Sequence, residues 1–378
     1  MVQDQVELFA GSHQFRLVAK YACTEGLTRT AMKRFLQTYI IFGCFFTLVS
    51  ASSGDRQRIF KQCVTKCTSS ASGCQPNTLS PLLHILGWSC QDDCSYFCMH
   101  ELTTQALESG GKVHQYFGKW PFWRWYGMQE PASVAFSLLN MWFHLDGALR
   151  IHFDVPTSHP MKHFYLGWAA TSINCWIWSA VFHTRGSSWM VAFCLTCQLM
   201  ALPDKPLTEK LDYFSAALTI LYALYTTVIR LFHMYPPTPT SRWPFPLRLW
   251  TLFCATLFLG HISYLSLLPR FDYTYNIIFN VIVGLSHNVL WLAYSLPTSL
   301  SFFKRYPHST SADRPRAANK AALLVLLTTA ATFLEVFDFP PWKRVIDAHS
   351  LWHLSTAIIA PFWYQFLVED SLERGWRR

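Results

Sequence analysis

The sequence predicts an all-α membrane protein: a seven-transmembrane helix bundle carrying a small disulfide-rich lumenal head at its N-terminal side. Three observations predict it. Apolar residues make up 51% of the 378 and charged residues only 14%, against about a quarter charged in a soluble domain. The charge deficit is gathered into seven apolar stretches, each near the ~20 residues that a helix needs to cross a bilayer. Six of the twelve cysteines crowd into one polar segment ahead of the first stretch. The net charge of +9 does not signal nucleic acid, because Lys and Arg sit in short loops and form no basic helix or aromatic-basic module.

Residues 1–31 are polar and precede what reads as a secretory signal, so they are expected to be an extension upstream of the true start at Met32. The signal, residues 32–52, has Lys33 and Arg34 as its charged region, Phe35 to Val49 as its apolar core, and Ser50-Ala51-Ser52 as small residues for cleavage. Residues 53–131 form the Cys-rich region, with Cys63, Cys67, Cys74, Cys90, Cys94 and Cys98. An even set of cysteines behind a secretory signal reads as a disulfide framework of open connectivity. The regular spacing of Cys90, Cys94 and Cys98 leaves a zinc site as the competing expectation. Trp120, Trp123 and Trp125 close the region and suit a membrane-interface belt.

The spans are expected at 132–152, 163–184, 211–232, 247–268, 273–295, 320–339 and 349–368. They show no period-2 alternation, which argues for helices and against a barrel. With the head lumenal, the alternating loops assigned to the cytosol carry Lys162, Arg242, Arg248, Lys304, Arg305, Arg314, Arg316 and Lys320, and the tail adds Arg374, Arg377 and Arg378. The opposite loops hold fewer cations, as the positive-inside rule requires. Residues 186–203 break the pattern, since they are uncharged, apolar and of nearly spanning length. Counted as a crossing, they would turn the most basic loop to the lumen, so the rule votes against it.

Polar residues inside spans are functional candidates by default. Ser179 and His183 stand four apart at the end of the second span, Asp212 opens the third, and His349 and His353, again four apart, open the seventh just after Asp347. By the alternating topology all five lie at lumenal helix ends. Two His at i, i+4 with a third from elsewhere make a catalytic zinc site with a position left open for water. Zinc brings that water's pKa toward ~7; a carboxylate takes its proton and a hydroxyl steadies the oxyanion. Isolated His residues commonly just hydrogen-bond within a bundle, and His144, His233, His261 and His287 are further histidines that spacing does not place.

Three segments resemble the post-GPI-attachment phospholipase family: Tyr116 to Pro131 (YFGKWPFWRWYGMQEP), Asn174 to Arg185 (NCWIWSAVFHTR) and Asp347 to His353 (DAHSLWH). That family also has a Cys-rich head ending in a run like Cys90 to Cys98. It belongs to a wider group of seven-span hydrolases with the alkaline ceramidases and the adiponectin-receptor-like proteins. The resemblance implies that His183, His349 and His353 bind Zn2+, that Ser179 assists at the oxyanion, and that Asp212 acts on the water. It implies an activity in the endoplasmic reticulum that removes an acyl chain from the phosphatidylinositol lipid of GPI-anchored proteins. The family pattern runs Ser-x3-His-x10-Asp. Removal of residues 186–203 joins Arg185 to Asp204, giving HTRDKPLTEKLDYF and restoring that spacing; a short intron translated in frame would produce such an insert.

Other functions fit the same residues. A ceramidase-type amidase would use the same five. A serine nucleophile activated by His183 is the competing mechanism. A non-catalytic seven-span receptor or an assembly factor for GPI processing would use the histidines structurally.

Overall fold

The computed structural model describes residues 53–69, 79–185, 205–238, 240–300, 304–308 and 314–376. The expected signal, the extension before it, Cys74 and the segment 186–203 therefore lie outside the described residues. The described residues are helical, with no strand longer than an isolated bridge. Three helices build the head: α1 (Arg58–Ser69), α2 (Pro81–Ile85) and α3 (Cys90–Glu108). Seven longer ones follow: α4 (Pro131–Asp154), α5 (Lys162–Thr184), α6 (Lys205–Leu231), α7 (Phe245–Leu267), α8 (Tyr273–Ser295), α9 (Ala318–Val336) and α10 (Ala348–Leu372).

The long helices coincide with the seven apolar stretches to within a few residues. The largest differences are at α6, which begins at Lys205, and at α10, which runs on to Leu372. Four of them, α6 to α9, contain runs long and apolar enough to cross a membrane: Leu207–Leu231, Phe245–Leu267, Tyr273–Ser295 and Ala318–Glu335. The other three are of similar length but more polar, for a reason visible in α4. Its buried positions include Ser133, Ser137, Asn140 and His144, which recur at helical spacing and give the helix a polar stripe turned inward. Outside, the pattern inverts. Leu249, Leu252, Phe253, Leu259 and Leu267 of α7 are all exposed, an apolar face of a kind that a water-soluble surface does not carry.

Helix starts follow local chemistry. Pro131 and Pro246 occupy first-turn positions, where the missing N–H is not needed. Asp347 caps α10 by accepting from Ser350 N–H at 2.8 Å, while Ser350 Oγ accepts from Asp347 N–H at 3.0 Å. Neighbouring helices α4, α5, α6, α8, α9 and α10 close into a ring, with α10 back against α4, and α7 packs outside on α6. Two glycines permit the closest approaches. A Cβ on Gly147 would sit 2.1 Å from the Tyr364 ring, and one on Gly167 would sit 2.1 Å from the Tyr222 hydroxyl.

In the head, Cys63 bonds Cys98 and Cys67 bonds Cys94. The cysteines are four apart on α1 and on α3, so one face of each helix carries two bridges and the pair runs antiparallel. Cys90 is also disulfide-bonded, which decides between the disulfide and zinc expectations for this run. The head docks on the hairpin ahead of α10: Trp123 N–H donates to the Arg344 carbonyl at 2.9 Å. The Arg344 guanidinium donates in turn to His100 Nδ1 at 3.0 Å and to Thr104 Oγ1 at 2.8 Å. His100 stacks on Trp123 with ring centroids 4.0 Å apart.

Candidate metal centre

Of the seven long helices the first starts, the second ends, the sixth ends and the seventh starts at one end of the bundle, and that end carries the chemistry. His183 is one residue from the C-terminus of α5, while His349 and His353 lie on the first turns of α10. Their Nε2 atoms converge, 3.2 Å from His183 to His349 and 2.9 Å from His349 to His353, and one ligand atom from each of the three lies within 4.8 Å of the others. Nitrogens bound tetrahedrally to zinc at ~2.0–2.1 Å stand roughly 3.3 Å apart, so both of these separations are close to that between two ligands of one ion.

The opposite edges of the rings show why the lone pairs point inward. His183 Nδ1 donates to Glu130 Oε2 at 2.8 Å and His349 Nδ1 donates to Glu335 Oε2 at 2.6 Å. His353 Nδ1 lies 2.9 Å from Ser137 Oγ, whose own proton goes to the Ser133 carbonyl at 2.7 Å. With each Nδ1 carrying the proton, the three Nε2 atoms are acceptors without a donor between them. At these separations their lone pairs repel unless a cation lies among them. An imidazole backed by a carboxylate or hydroxyl is the usual second layer of a metal site, and the donor set fits zinc. His183 and His353 are buried, and His349 is half-buried, so the cluster is open on the His349 side.

The five residues singled out in the sequence come to this end in different ways. The histidines form the cluster. Ser179, also buried, places its Oγ 3.0 Å from Ser137 Oγ, so it is one hydroxyl removed from His353. Among the described residues no hydrogen bond joins Ser179 to His183, and the Ser-His pair that a nucleophilic serine needs is not formed. Asp212, on the second turn of α6, interacts electrostatically with both His183 and His349 as well as Lys119. Among the described residues no hydrogen bond or ion pair engages its carboxylate, which leaves it available to a water. The other histidines are elsewhere: His144 bonds Tyr364 Oη at 2.8 Å, His287 bonds Asn288 at 3.0 Å, His261 stacks on Phe279, and His233 bonds Tyr235 Oη at 2.8 Å.

Three residues of the site were not singled out by the sequence. Glu130 lies within the quoted segment Tyr116 to Pro131, and Glu335 is a charge inside the sixth apolar stretch, so both carried a signal. Ser137 carried none, since a lone serine in an apolar helix is ordinary.

Fold and site together define a helical membrane protein with a cluster of three imidazoles at one end of the bundle that could hold a metal ion. A model of the Per1-like family matches residues 80–371. The chain is 38% identical over 332 residues to the human "GPI-specific phospholipase A2-like PGAP3", covering 86% of this chain and 91% of that one. It is 36% identical over 350 residues to the fission yeast (Schizosaccharomyces pombe) "Protein PER1 homolog", covering 89% and 93%. A zebrafish (Danio rerio) protein with the same printed name as the human one is 34% identical over 330 residues, covering 85% and 92%. No solved structure matches. The chain belongs to the Per1-like family.

Proposed function

We propose that this chain is a zinc-dependent ester hydrolase of the endoplasmic reticulum membrane that removes an acyl chain from the inositol phospholipid of GPI-anchored proteins. The observation that carries the chemistry is the convergence of three Nε2 lone pairs, each held by a partner on the far side of its ring. The relatives' printed names support the substrate class.

In this reading His183, His349 and His353 hold the ion through Nε2, with Glu130, Glu335 and Ser137 fixing the ring orientations. The bound metal would polarise the ester carbonyl and acidify a water. Asp212, whose carboxylate no hydrogen bond or ion pair engages among the described residues, accepts the proton of the attacking water. Ser179 turns its hydroxyl from Ser137 toward the carbonyl oxygen as negative charge develops there. All seven long helices cross the bilayer in this reading, with the head lumenal and the C-terminus cytosolic, so an ester near the lumenal leaflet reaches the cluster from the side.

The test is mass spectrometry of GPI lipid chains in cells lacking this activity, complemented with the chain, with the chain minus residues 186–203, and with His353→Ala in each. Remodelled chains restored by a parent form and lost in its His353→Ala variant are the expected result. Equal restoration by parent and variant would refute a metal-dependent hydrolysis and leave the histidines structural.

A further inference from the structure

One short segment of the head touches the support of one imidazole and a residue three positions from the support of another. The turn Gln115–Trp120 closes on a Tyr116–Lys119 bridge. From it the Lys119 ammonium reaches Glu130 Oε1 at 2.5 Å, and the other oxygen of that carboxylate holds His183 at 2.8 Å. Gln115 Nε2 and Trp120 Nε1 donate to the two oxygens of Asp338 at 2.6 and 2.7 Å. Asp338 lies three residues past Glu335, which holds His349. The turn is itself seated on the disulfide-bonded helices, with Gly54 N–H bonded to the Gln115 carbonyl at 2.8 Å and the Phe60 ring 5.0 Å from the Tyr116 ring.

We propose that this turn is a strap through which the head positions the metal ligands, and that Lys119 is the positioning residue through which it acts on His183. The inference rests on the metal reading above. Glu130 is buried, 5% exposed, so its carboxylate stays in place only while cations or donors face both oxygens. Lys119 faces one and His183 the other. Its stem also lays the ammonium 4.0 Å over the Phe182 ring, beside His183 in sequence. Without the ammonium one carboxylate oxygen is left buried and unpaired. The group then turns toward water, and the His183 ring loses the bond that aims its Nε2 lone pair. A purely structural salt bridge would alter melting alone; a positioning role alters metal affinity as well.

The experiment uses the full chain in detergent, with zinc affinity read by competition against a chromogenic chelator and melting read in excess chelator. Stoichiometric zinc on the parent protein is the first expectation, and its absence would overturn the metal reading itself and the strap with it. With the parent loaded, folded Lys119→Met is expected to bind zinc about 10- to 100-fold more weakly, alongside whatever fall in metal-free melting temperature the unpaired carboxylate causes. Lys119→Arg restores the cation, and the partly exposed Lys119 site (23%) has room for it, so affinity within about threefold of the parent is expected from the same contact. Parent-like affinity in Lys119→Met refutes the strap and leaves the metal reading intact. If Lys119→Met does not fold, Trp120→Phe asks the same question at the other anchor by deleting the donor to Asp338 and keeping the ring. Weaker zinc binding supports the strap, and unchanged binding refutes it.

Discussion

Replacing Ser137 with Ala removes one oxygen that serves three groups. Ser137 Oγ donates to the Ser133 carbonyl at 2.7 Å, stands 2.9 Å from His353 Nδ1 and 3.0 Å from Ser179 Oγ. Ser137 and His353 are exposed by 0% and 1%, so no water replaces the lost oxygen. A buried donor left without an acceptor costs about 1–3 kcal/mol. The His353 ring can escape that cost by moving its proton from Nδ1 to Nε2, but this consumes the lone pair aimed at the metal. Either way the loss falls on metal binding, and 1.4–2.8 kcal/mol within that range corresponds to about 10- to 100-fold in affinity. Chelator competition on purified Ser137→Ala measures it directly. Ser179→Ala is the counterpart, since Ser179 touches the cluster only through Ser137, and its metal affinity should stay within about threefold while GPI lipid remodelling falls, as expected for an oxyanion donor. If Ser137→Ala binds zinc like the parent, or if the losses fall on Ser179→Ala instead, the assignment of the two hydroxyls is wrong.

Two further predictions concern regions away from the cluster. At the other end of the bundle Arg230 and Asp370, both 0% exposed, pair at 2.8 Å, and Asp370 also accepts from Tyr294 at 2.7 Å and Tyr306 at 3.0 Å. Asp370→Asn leaves the guanidinium buried without a counter-charge and should cost about 3–5 kcal/mol, seen as a lower melting temperature in detergent with zinc affinity unchanged; parallel loss of both would show that the two ends are not independent. In the head, burial, partly offset by the bond to the Phe122 carbonyl and reinforced by the Arg344 and Arg124 charges, brings the His100 pKa down from 6.5 to about 4. Its neutral ring donates through Nε2 and accepts from Arg344 through Nδ1. The unfolded chain therefore binds the extra proton first: the stability contribution is complete above pH ~6.5 and is lost as pH falls toward ~4, at most about 3 kcal/mol. His100→Gln should flatten the melting temperature over that window, and an unaltered pH slope would remove His100 as the cause.

The sequence made the helices legible because each stretch is apolar over a bilayer thickness, and made the ligands legible because two of them repeat at i, i+4 on one helix. What it hid were relations across the chain. Glu335 violates the rule against charge in an apolar stretch, yet its partner His349 is 14 residues away beyond a hairpin, and nothing local announces the pair. Glu130 stands one residue before the first long helix, just outside the stretch to which that rule applies. Ser137 shares its helix face with Ser133, Asn140 and His144, and only the packing of α10 against that face reveals which of the four meets a ligand. The disulfide pairing was hidden for a similar reason. Spacing of four on both helices allows parallel or antiparallel pairing, and the direction of α1 along α3 selects Cys63 with Cys98 and Cys67 with Cys94.

The two ends of the bundle also bear on which helices cross. Asp212 and Arg230 lie on one helix 18 residues apart, about 27 Å at 1.5 Å per residue. His353 and Asp370 lie 17 apart on α10, about 26 Å. Both separations approach the ~30 Å of a bilayer's hydrocarbon core, so each helix carries a polar pole toward either end at the spacing that two membrane interfaces would have. This accounts for α10, which is too polar to stand out by hydropathy and yet has the length and pole spacing of a span. The pairing of α5 with α6 adds direction. Phe182 faces Tyr213 with ring centroids 6.4 Å apart, and Thr219 Oγ1 donates to the Thr171 carbonyl at 2.9 Å, so the two helices run antiparallel. His183 and Asp212 therefore belong to one end. Glu130, His183, Asp212, Glu335 and His349 thus meet at one end of the bundle, which is what the proposed hydrolysis requires of them.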